Sequence, residues 1–385
     1  MKYRMKAMFF VYILLLATIS FTPGECDTKV FNLKDYGAIQ GGNVDISQAL
    51  LKAWGDACNW KGGSKLEVPS ATYLVNPVIL KGPCRGPIEF HNSGTLKGPQ
   101  GLRGDSWIEF QYIDGLTLNG GVFDGQGPPK QAAPGLPTLL RFTFITNSRA
   151  QLVKLINSQS THFHLFGCKQ IVIDQISISS PENSPNTDGI KIGESNGIDI
   201  LKTNIESGDD CVALIRGSKD ITVSGVTCGP GHGISIGSLG ESENEQVEHV
   251  VVRQCRLFDT TNGLRIKTKA SDMSGTVSNI TYQDISFRNV DNPIVFDQNY
   301  CPSRTCRQGN SRVQIKDIKF INVHGTSKIN TAVVLQCSGS NPCKGIELKD
   351  INIAYYKYQA STISNCSNVH GQSSGIQIPK PCISV

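Results

Sequence analysis

The sequence has little net charge, no long apolar run beyond its N-terminus and hardly any helical patterning. Its 37 basic and 32 acidic residues leave a net charge of +5 over 385 residues, which is not typical of a nucleic-acid-binding protein but permits an acidic substrate. No later segment reaches the roughly 20 apolar residues that a transmembrane helix needs. We therefore predict a soluble mature chain with no nucleic-acid partner and no membrane span.

The one long apolar run lies at the N-terminus. Three basic residues precede Ala7–Phe21, a segment that has the length of the apolar core of a secretory signal and is shorter than a membrane span. We predict a signal peptide over residues 1–26, the alternative being an uncleaved membrane anchor. Residues 27–385 show no linker and no shift in composition, so we expect the mature chain to form one domain.

The 13 cysteines lack the partner histidines and the spacings of zinc sites. Removal of Cys26 with the signal peptide leaves an even number, which suits disulfides in an oxidising compartment. The triplets that begin at Asn279 and Asn365 are candidate glycosylation acceptors. Together these features predict a secreted, disulfide-bonded glycoprotein.

Short runs of alternating apolar residues recur from the middle of the chain onward. They are rich in β-branched residues and are separated by Gly, Asn, Asp and Ser, a pattern typical of strands and turns. They repeat at intervals of about 23 to 33 residues, which is the range of solenoids and propellers. The apolar residues that we place at equivalent positions are Ile171, Ile198, Ile221, Val250, Ile280, Val313 and Ile346.

A right-handed parallel β-helix fits this repeat best. The shortest interval is too short for a four-stranded propeller blade, and the ladder of a leucine-rich repeat is absent. In a β-helix, coils of two or three short strands stack at about 4.8 Å, and stacking buries the apolar face that a single coil leaves exposed. We predict an all-β fold, a single solenoid over residues 27–385.

One segment near the start departs from the strand pattern. Asp45–Cys58 has apolar residues at helical spacing, and either Asp45 or Ser47 can cap a helix there. We expect a short helix that closes the N-terminal end of the solenoid, because an open end would expose the core.

Acidic residues, a histidine and two basic residues recur after position 186 at intervals close to a coil length. Residues one coil apart lie above one another in a solenoid, so these side chains should meet on one face. We pair Asp188 with Asp209, and Asp210 with His232, because each pair is separated by about one short coil of 21 to 23 residues. The predicted cluster comprises Asp188, Asp209, Asp210, His232, Arg265 and Lys267.

An acid cluster beside cations suits cleavage of a glycosidic bond next to a sugar carboxylate. One carboxyl group protonates the leaving oxygen, and another attacks or activates water. Crowding raises the pKa of at least one acid, and Arg and Lys can bind a substrate carboxylate. Each motif alone is weak, since paired aspartates also bind metal in polymerases and acids at strand ends are often only turn residues. The joint spacing carries the prediction.

Four motifs together resemble a known family. "NTD" (Asn186–Asp188), "GDDC" (Gly208–Cys211), "GHG" (Gly231–Gly233) and "RIK" (Arg265–Lys267) stand in the order and spacing of the polygalacturonases, glycoside hydrolase family 28. The likeness covers nearly all of the mature chain and is closest to plant pollen-type exopolygalacturonases. It implies a secreted enzyme of the plant cell wall that acts on polygalacturonate or pectin, as a monomer without a metal or other cofactor.

The resemblance also implies the reaction and the roles of residues. The enzyme would hydrolyse α-1,4-galacturonosyl bonds of de-esterified pectin with inversion, from the non-reducing end. Asp209 would be the general acid, Asp188 and Asp210 would activate water, and His232 would support protonation of the acid. The substrate would be bound by Asn186, Arg265, Lys267 and Tyr300, and the implied disulfides are Cys211–Cys228, Cys337–Cys343 and Cys366–Cys382.

Three positions depart from the usual plant pattern by adding positive charge, namely Lys191, Arg216 and Lys269. One hypothesis is a more basic cleft with a steeper dependence on salt, and the other is that these side chains point away from the cleft. Endo action, hydrolysis of rhamnogalacturonan or xylogalacturonan, and a catalytically idle cell-wall pectin-binding protein also stay open. Exo action rests on the resemblance alone, because loops at the ends of the cleft decide it.

Overall fold

Parallel strands form nearly all of the regular structure. The computed structural model describes residues 28–127, 135–303, 305–307, 309–357 and 361–383, so the predicted signal peptide lies outside the described residues. Within these ranges the strands form one sheet of 21 strands and one of 11, and the pairings between these strands are parallel. The predicted right-handed parallel β-helix is confirmed.

The smaller sheet, called the cleft sheet below, forms one side of the solenoid. It contributes one strand per coil, and its strands are Val78–Lys81, Ser106–Gln111, Thr138–Thr143, Phe163–Phe166, Ile190–Gly193, Val212–Leu214, Ile234–Leu239, Asn262–Thr268, Asn292–Asp297, Thr331–Gln336 and Ile363–Ser367.

The larger sheet supplies two rows of strands. The first row is Lys29–Asn32, Ser64–Val68, Ile88–Asn92, Leu116–Asn119, Thr146–Gln151, Lys169–Asp174, Asn196–Leu201, Ser218–Ser224, Glu245–Arg253, Ser271–Val290, Ser311–Ser327, Cys343–Tyr355 and Val369–Ile378. The second row is Thr72–Leu74, Thr95–Lys97, Val122–Asp124, Lys154–Ile156, Ser177–Ser179, Asn204–Glu206, Thr227–Cys228 and Arg256–Phe258. From Ser271–Val290 onward, single long strands span both rows, because this strand pairs with the last strand of each.

The strand register tests the predicted stack of apolar residues. Ile171, Ile198, Ile221, Val250, Ile280 and Ile346 do occupy one interior row. The prediction for Val313 was wrong, because Ile318 lies between Ile280 and Ile346 in this row and Val313 pairs with Gly275. Asp317 has a left-handed backbone with φ of 56°, and the alternation of buried and exposed side chains changes phase there.

A helix closes the N-terminal end as predicted. It spans Ser47–Cys58, follows the short 3-10 helix Leu33–Tyr36, and lies against the first strands of both sheets. Ile46 occupies the N-cap position without a side-chain cap, and the preceding Asp45 Oδ1 accepts a hydrogen bond from the Ser47 N–H at 3.0 Å, which satisfies the first N–H of the helix. Among the described residues, no helix has the length and apolar character needed to cross a membrane.

Five disulfides link ten of the twelve described cysteines: Cys58–Cys84, Cys211–Cys228, Cys301–Cys306, Cys337–Cys343 and Cys366–Cys382. The three predicted pairs are confirmed. The even count did not mean complete pairing, since Cys168 and Cys255 are free thiols buried in the core, where each lies near backbone carbonyl oxygens. Asn279 and Asn365, the candidate glycan acceptors, are both exposed.

Loss of the Cys211–Cys228 disulfide should destabilise the protein. Its two residues are 17 apart and fully buried. Closing a loop of that length lowers the conformational entropy of the unfolded chain, which stabilises the folded state by about 3 kcal/mol. We expect Cys211→Ala/Cys228→Ala to lower the free energy of unfolding by about that amount in urea titrations. The control is Cys301→Ala/Cys306→Ala, whose cysteines are only 5 apart and should cost about 2 kcal/mol. Equal or reversed losses would contradict this account.

Candidate active site

An open polar cleft of about 550 Å³ lies over the middle of the cleft sheet. All eight residues that the sequence predicts for the site come together here. Six of them line the cleft, namely Asn186, Asp188, Asp209, Asp210, Lys267 and Tyr300. The other two, His232 and Arg265, contact the carboxylates of Asp209 and Asp210.

Strand register explains why these residues meet. Asp188, Asp210 and His232 each stand two positions before a strand of the cleft sheet. These strands are parallel neighbours in register, so the three residues lie on successive coils. The stack partner of Asp188 is therefore Asp210, and the predicted pairing of Asp188 with Asp209 was wrong by one residue. The Gly189 N–H donates to the Asp210 carbonyl oxygen at 2.8 Å, which holds this alignment.

The turn before the two aspartates requires glycine. A Cβ atom on Gly208 would lie 1.9 Å from the backbone oxygen of Ser184 in the preceding coil. The Gly208 N–H also donates to the Thr187 hydroxyl at 3.0 Å. The close approach of these two coils brings the acidic turn against the residues around Asp188.

Asp209 is held by His232 and by the backbone. The His232 Nδ1 lies 3.0 Å from the Asp209 Oδ1, and the Asp210 N–H donates to the same oxygen at 2.8 Å. Burial raises the pKa of Asp209, but the hydrogen bond and charge of His232, together with Lys267, outweigh burial and leave the pKa lowered. The side chain is 24% exposed, the largest exposure among the three aspartates.

Asp210 is the centre of a buried ion-pair group. Its side chain is only 2% exposed, and its Oδ1 lies 2.6 Å from the Arg265 Nη2, while its Oδ2 lies 2.7 Å from the Lys267 Nζ. The Ser235 hydroxyl also donates to the Oδ1 at 2.7 Å and accepts from the Arg265 Nε at 3.0 Å. Both cations predicted to bind substrate thus already bind Asp210. Ser235 was missed, since an isolated serine in a strand gives no sequence signal.

Asp188 is the carboxyl group whose pKa is raised in this cluster. Burial raises it to about 6, Lys191 opposes the shift, and the charges of Asp209 and Asp210 add to it. The Lys191 Nζ lies 3.0 Å from the Asp188 Oδ2, and the Thr161 hydroxyl lies 3.3 Å from the same oxygen. One acid in the cluster does have a raised pKa, as the sequence predicted, but that acid is Asp188 and not Asp209, and burial contributes more to the shift than the neighbouring carboxylates do.

The three added cations all line the cleft, so the hypothesis that they point away from it was wrong. Each of them has an acidic partner, which offsets the added charge. The pairs and their N–O distances are Lys191–Asp188 at 3.0 Å, Arg216–Glu194 at 3.3 Å and Lys269–Glu241 at 2.6 Å. The positive charge predicted for the cleft is therefore largely neutralised, by the motif residue Asp188 and by Glu194 and Glu241, which lie outside the motifs.

The same cluster offers the only group of three acidic or histidine ligands among the described residues. One ligand atom from each of Asp209, Asp210 and His232 lies within 4.8 Å of the others. Asp210 already accepts from two cations, so a metal ion would have to displace Arg265 or Lys267. This donor set fits ion pairing better than metal binding.

A parallel β-helix with three carboxylates, a histidine and two basic residues in an open polar cleft defines a polysaccharide hydrolase. The chain belongs to Glycosyl hydrolases family 28, whose profile matches residues 58–376. It is 44% identical over 349 residues to a polygalacturonase of Medicago sativa, covering 85% of this chain and 82% of the relative. It is 40% identical to an exopolygalacturonase of Platanus acerifolia, covering 91% and 97%.

A solved structure supports the fold. The exopolygalacturonase of Thermotoga maritima superposes with a TM-score of 0.76 and 22% identity, over 90% of each chain. The family resemblance found from the motifs is confirmed across most of the chain by the profile and the plant relatives.

Proposed function

We propose that this protein is a secreted hydrolase of the plant cell wall that cleaves α-1,4-galacturonosyl bonds of de-esterified pectin with inversion, as a monomer. The observation that carries the proposal is that three carboxylates and Lys267 lie together in one open cleft. The carboxylates supply the acid and base of glycoside hydrolysis, and the cation suits a uronate substrate. Relatives named exopolygalacturonase support release of single residues from the non-reducing end.

Asp209 is the proposed proton donor, and Asp188 and Asp210 orient and activate the attacking water. Asp209 is the most exposed of the three and reaches the cleft, while His232 holds its carboxyl group from one side. The Asp209 pKa is lowered in the free protein, partly by Lys267. A galacturonate carboxylate bound beside Lys267 would offset that charge and exclude water, and both changes favour the protonated acid.

The pH dependence of hydrolysis follows from the single proton that Asp188 and Asp209 share. Asp188 and Asp209 must together hold a single proton to act as base and acid, and the pKa of about 6 at Asp188 sets where the pair loses it. We expect kcat/KM to fall above about pH 6. Since the Lys191 charge lowers the pKa of Asp188, Lys191→Gln should move this alkaline limb to higher pH.

The control for this pH profile is Lys269→Gln. Lys269 also lines the cleft, but it pairs with Glu241 and does not contact Asp188. The alkaline limb of the kcat/KM profile of Lys269→Gln should stay at the wild-type position. An unchanged limb in Lys191→Gln, or the same shift in both variants, would contradict the assignment.

Product analysis tests the proposed reaction. The purified protein would be incubated with de-esterified polygalacturonate, and with a neutral galactan as a matched control substrate. Monogalacturonate from the first time point, formed as the inverted anomer by proton NMR, supports the proposal. A ladder of oligomers would replace exo by endo action, and no cleavage by a folded protein would overturn the hydrolase.

A further inference from the structure

The two candidate glycosylation triplets lie on different sheets of the solenoid. Asn365 lies on the last strand of the cleft sheet, Ile363–Ser367, whereas Asn279 lies on Ser271–Val290 of the larger sheet. Both asparagines are exposed, as the acceptor of a bulky and hydrophilic glycan must be. The triplets are equivalent in the sequence, and only the fold gives them different surroundings.

Strand register places Asn365 in line with the active site. Four outward-facing residues are paired one after another on successive coils, namely Arg265, Val295, Val334 and Asn365. Neighbouring strands are about 4.8 Å apart, so Asn365 lies roughly 14 Å from Arg265 along the solenoid. Arg265 binds Asp210 in the acid cluster. A group attached to Asn365 therefore stands on the surface that continues the cleft toward the C-terminal end.

The Asn365 side chain is free to carry such a group. Its partner Val334 lies between the buried residues Val333 and Leu335, so Val334 and Asn365 face outward. The Asn365 amide has no hydrogen-bond partner among the described residues. By contrast, the Asn147 amide at a turn of the larger sheet donates to Asp114 at 2.6 Å. Modification of Asn365 would break no contact of this kind.

The C-terminal part of the cleft sheet lacks the positive charge of the cleft. Two outward-facing rows continue from Arg265 and Lys267, and neither contains a further Lys or Arg. Their residues are Val295, Val334 and Asn365 in one row and Asp297, Gln336 and Ser367 in the other. A polyuronate forms no ion pair with these rows. A bulky group there changes access to the cleft without removing a cation that binds substrate.

We propose that Asn365 carries an N-linked glycan, which covers the C-terminal end of the cleft sheet and restricts the entry of long polymer chains into the cleft. The Asn365 amide nitrogen loses a proton and bonds to the anomeric carbon of the first sugar, and the lipid diphosphate of a lipid-linked oligosaccharide donor departs with the electron pair of the broken bond. The effect on access rests on the proposed function, because it takes the substrate to be a uronate polymer. Short substrates fit within the cleft and escape the restriction.

Mass spectrometry tests the modification without any measurement of activity. The protein would be secreted from plant cells and digested, and the peptide that contains Asn365 would be analysed before and after enzymatic removal of glycans. We expect this peptide to carry a glycan mass that the removal abolishes. An unmodified Asn365 in the secreted protein would overturn the inference and leave the proposed function standing.

Kinetics on two substrate lengths test the effect on access. In Asn365→Gln, the ratio of kcat/KM on polygalacturonate to kcat/KM on digalacturonate should rise about threefold, because removal of the glycan opens more directions of productive approach. The value of kcat on digalacturonate should stay at that of the wild type. Ser367→Ala also destroys the triplet but keeps Asn365, so it should raise the ratio equally.

Two matched controls separate the glycan from the side chains. Ser367→Thr keeps the triplet and should leave the ratio at the wild-type value. Asn279→Gln removes the acceptor on the larger sheet, away from the cleft, and should also leave it unchanged. An unchanged ratio in Asn365→Gln, or equal rises in Asn365→Gln and Asn279→Gln, would overturn the restriction and leave the function standing. No hydrolysis of either substrate by the wild type and by Asn365→Gln would overturn both.

Discussion

Replacement of Asp209 by Asn should lower kcat by about 10³-fold, because the amide does not supply the proton that the leaving sugar oxygen needs. The substitution keeps the shape of the side chain, and the amide oxygen still accepts the hydrogen bond from the Asp210 N–H. The loss is therefore expected in the chemical step, with KM for polygalacturonate changed much less. Steady-state kinetics on the polymer measures both constants.

The leaving group distinguishes a lost proton donor from a disturbed site. α-Galacturonosyl fluoride has a leaving group that needs little protonation, so Asp209→Asn should retain most of the wild-type rate on it. The matched control is Asp220→Asn, because Asp220 forms a comparable contact with His249 at 3.3 Å on the exposed surface. That variant should behave as the wild type on both substrates. Equal losses on the polymer and the fluoride in Asp209→Asn would show that Asp209 holds the site in shape and does not donate the proton.

Removal of the Asp210 carboxylate should have the largest effect on stability. Asp210→Ala leaves the cations of Arg265 and Lys267 beside each other in a buried site with no opposing charge. Breaking a buried ion pair in this way costs about 3–5 kcal/mol, much more than the loss of an exposed pair. We expect a decrease of that size in the free energy of unfolding in urea, together with loss of hydrolysis.

Two further variants identify the cause of this loss. Asp210→Ala/Lys267→Met removes one of the uncompensated cations and should recover part of the stability without recovering activity. Asp174→Asn breaks the half-exposed pair with Arg149 and should change the free energy of unfolding by about 0–1 kcal/mol. If Asp210→Ala proved as stable as the wild type, the ion-pair group would not support the cleft sheet.

The periodicity of the sequence was enough to predict the solenoid and the meeting of distant residues. Alternating apolar residues determine which face of each strand is buried, and a repeat of about one coil converts sequence spacing into proximity. For this reason Asp188, Asp210 and His232 were expected to meet before their contacts were known. The helix Ser47–Cys58 followed from its own apolar spacing in the same way.

Register within a coil was less predictable. The strand Ser311–Ser327 alternates in two phases, and only its pairing shows that Ile318 rather than Val313 continues the row. The left-handed residue Asp317 separates the two phases. Because an Asp adopts this conformation at a modest cost and also occurs in ordinary turns, its position in the sequence does not reveal the change of phase.

The sequence by itself determined the parallel β-helix and the family, and it predicted which eight residues come together in the candidate active site, because all of these depend on spacing and residue type along the chain. Only the tertiary structure decided which charges meet, namely Lys191 with Asp188 and Lys267 with Asp210. Those contacts depend on the direction and burial of side chains from neighbouring coils. Burial and neighbouring charges in turn set each pKa, which is why Asp188 and not Asp209 has the raised value in the free protein.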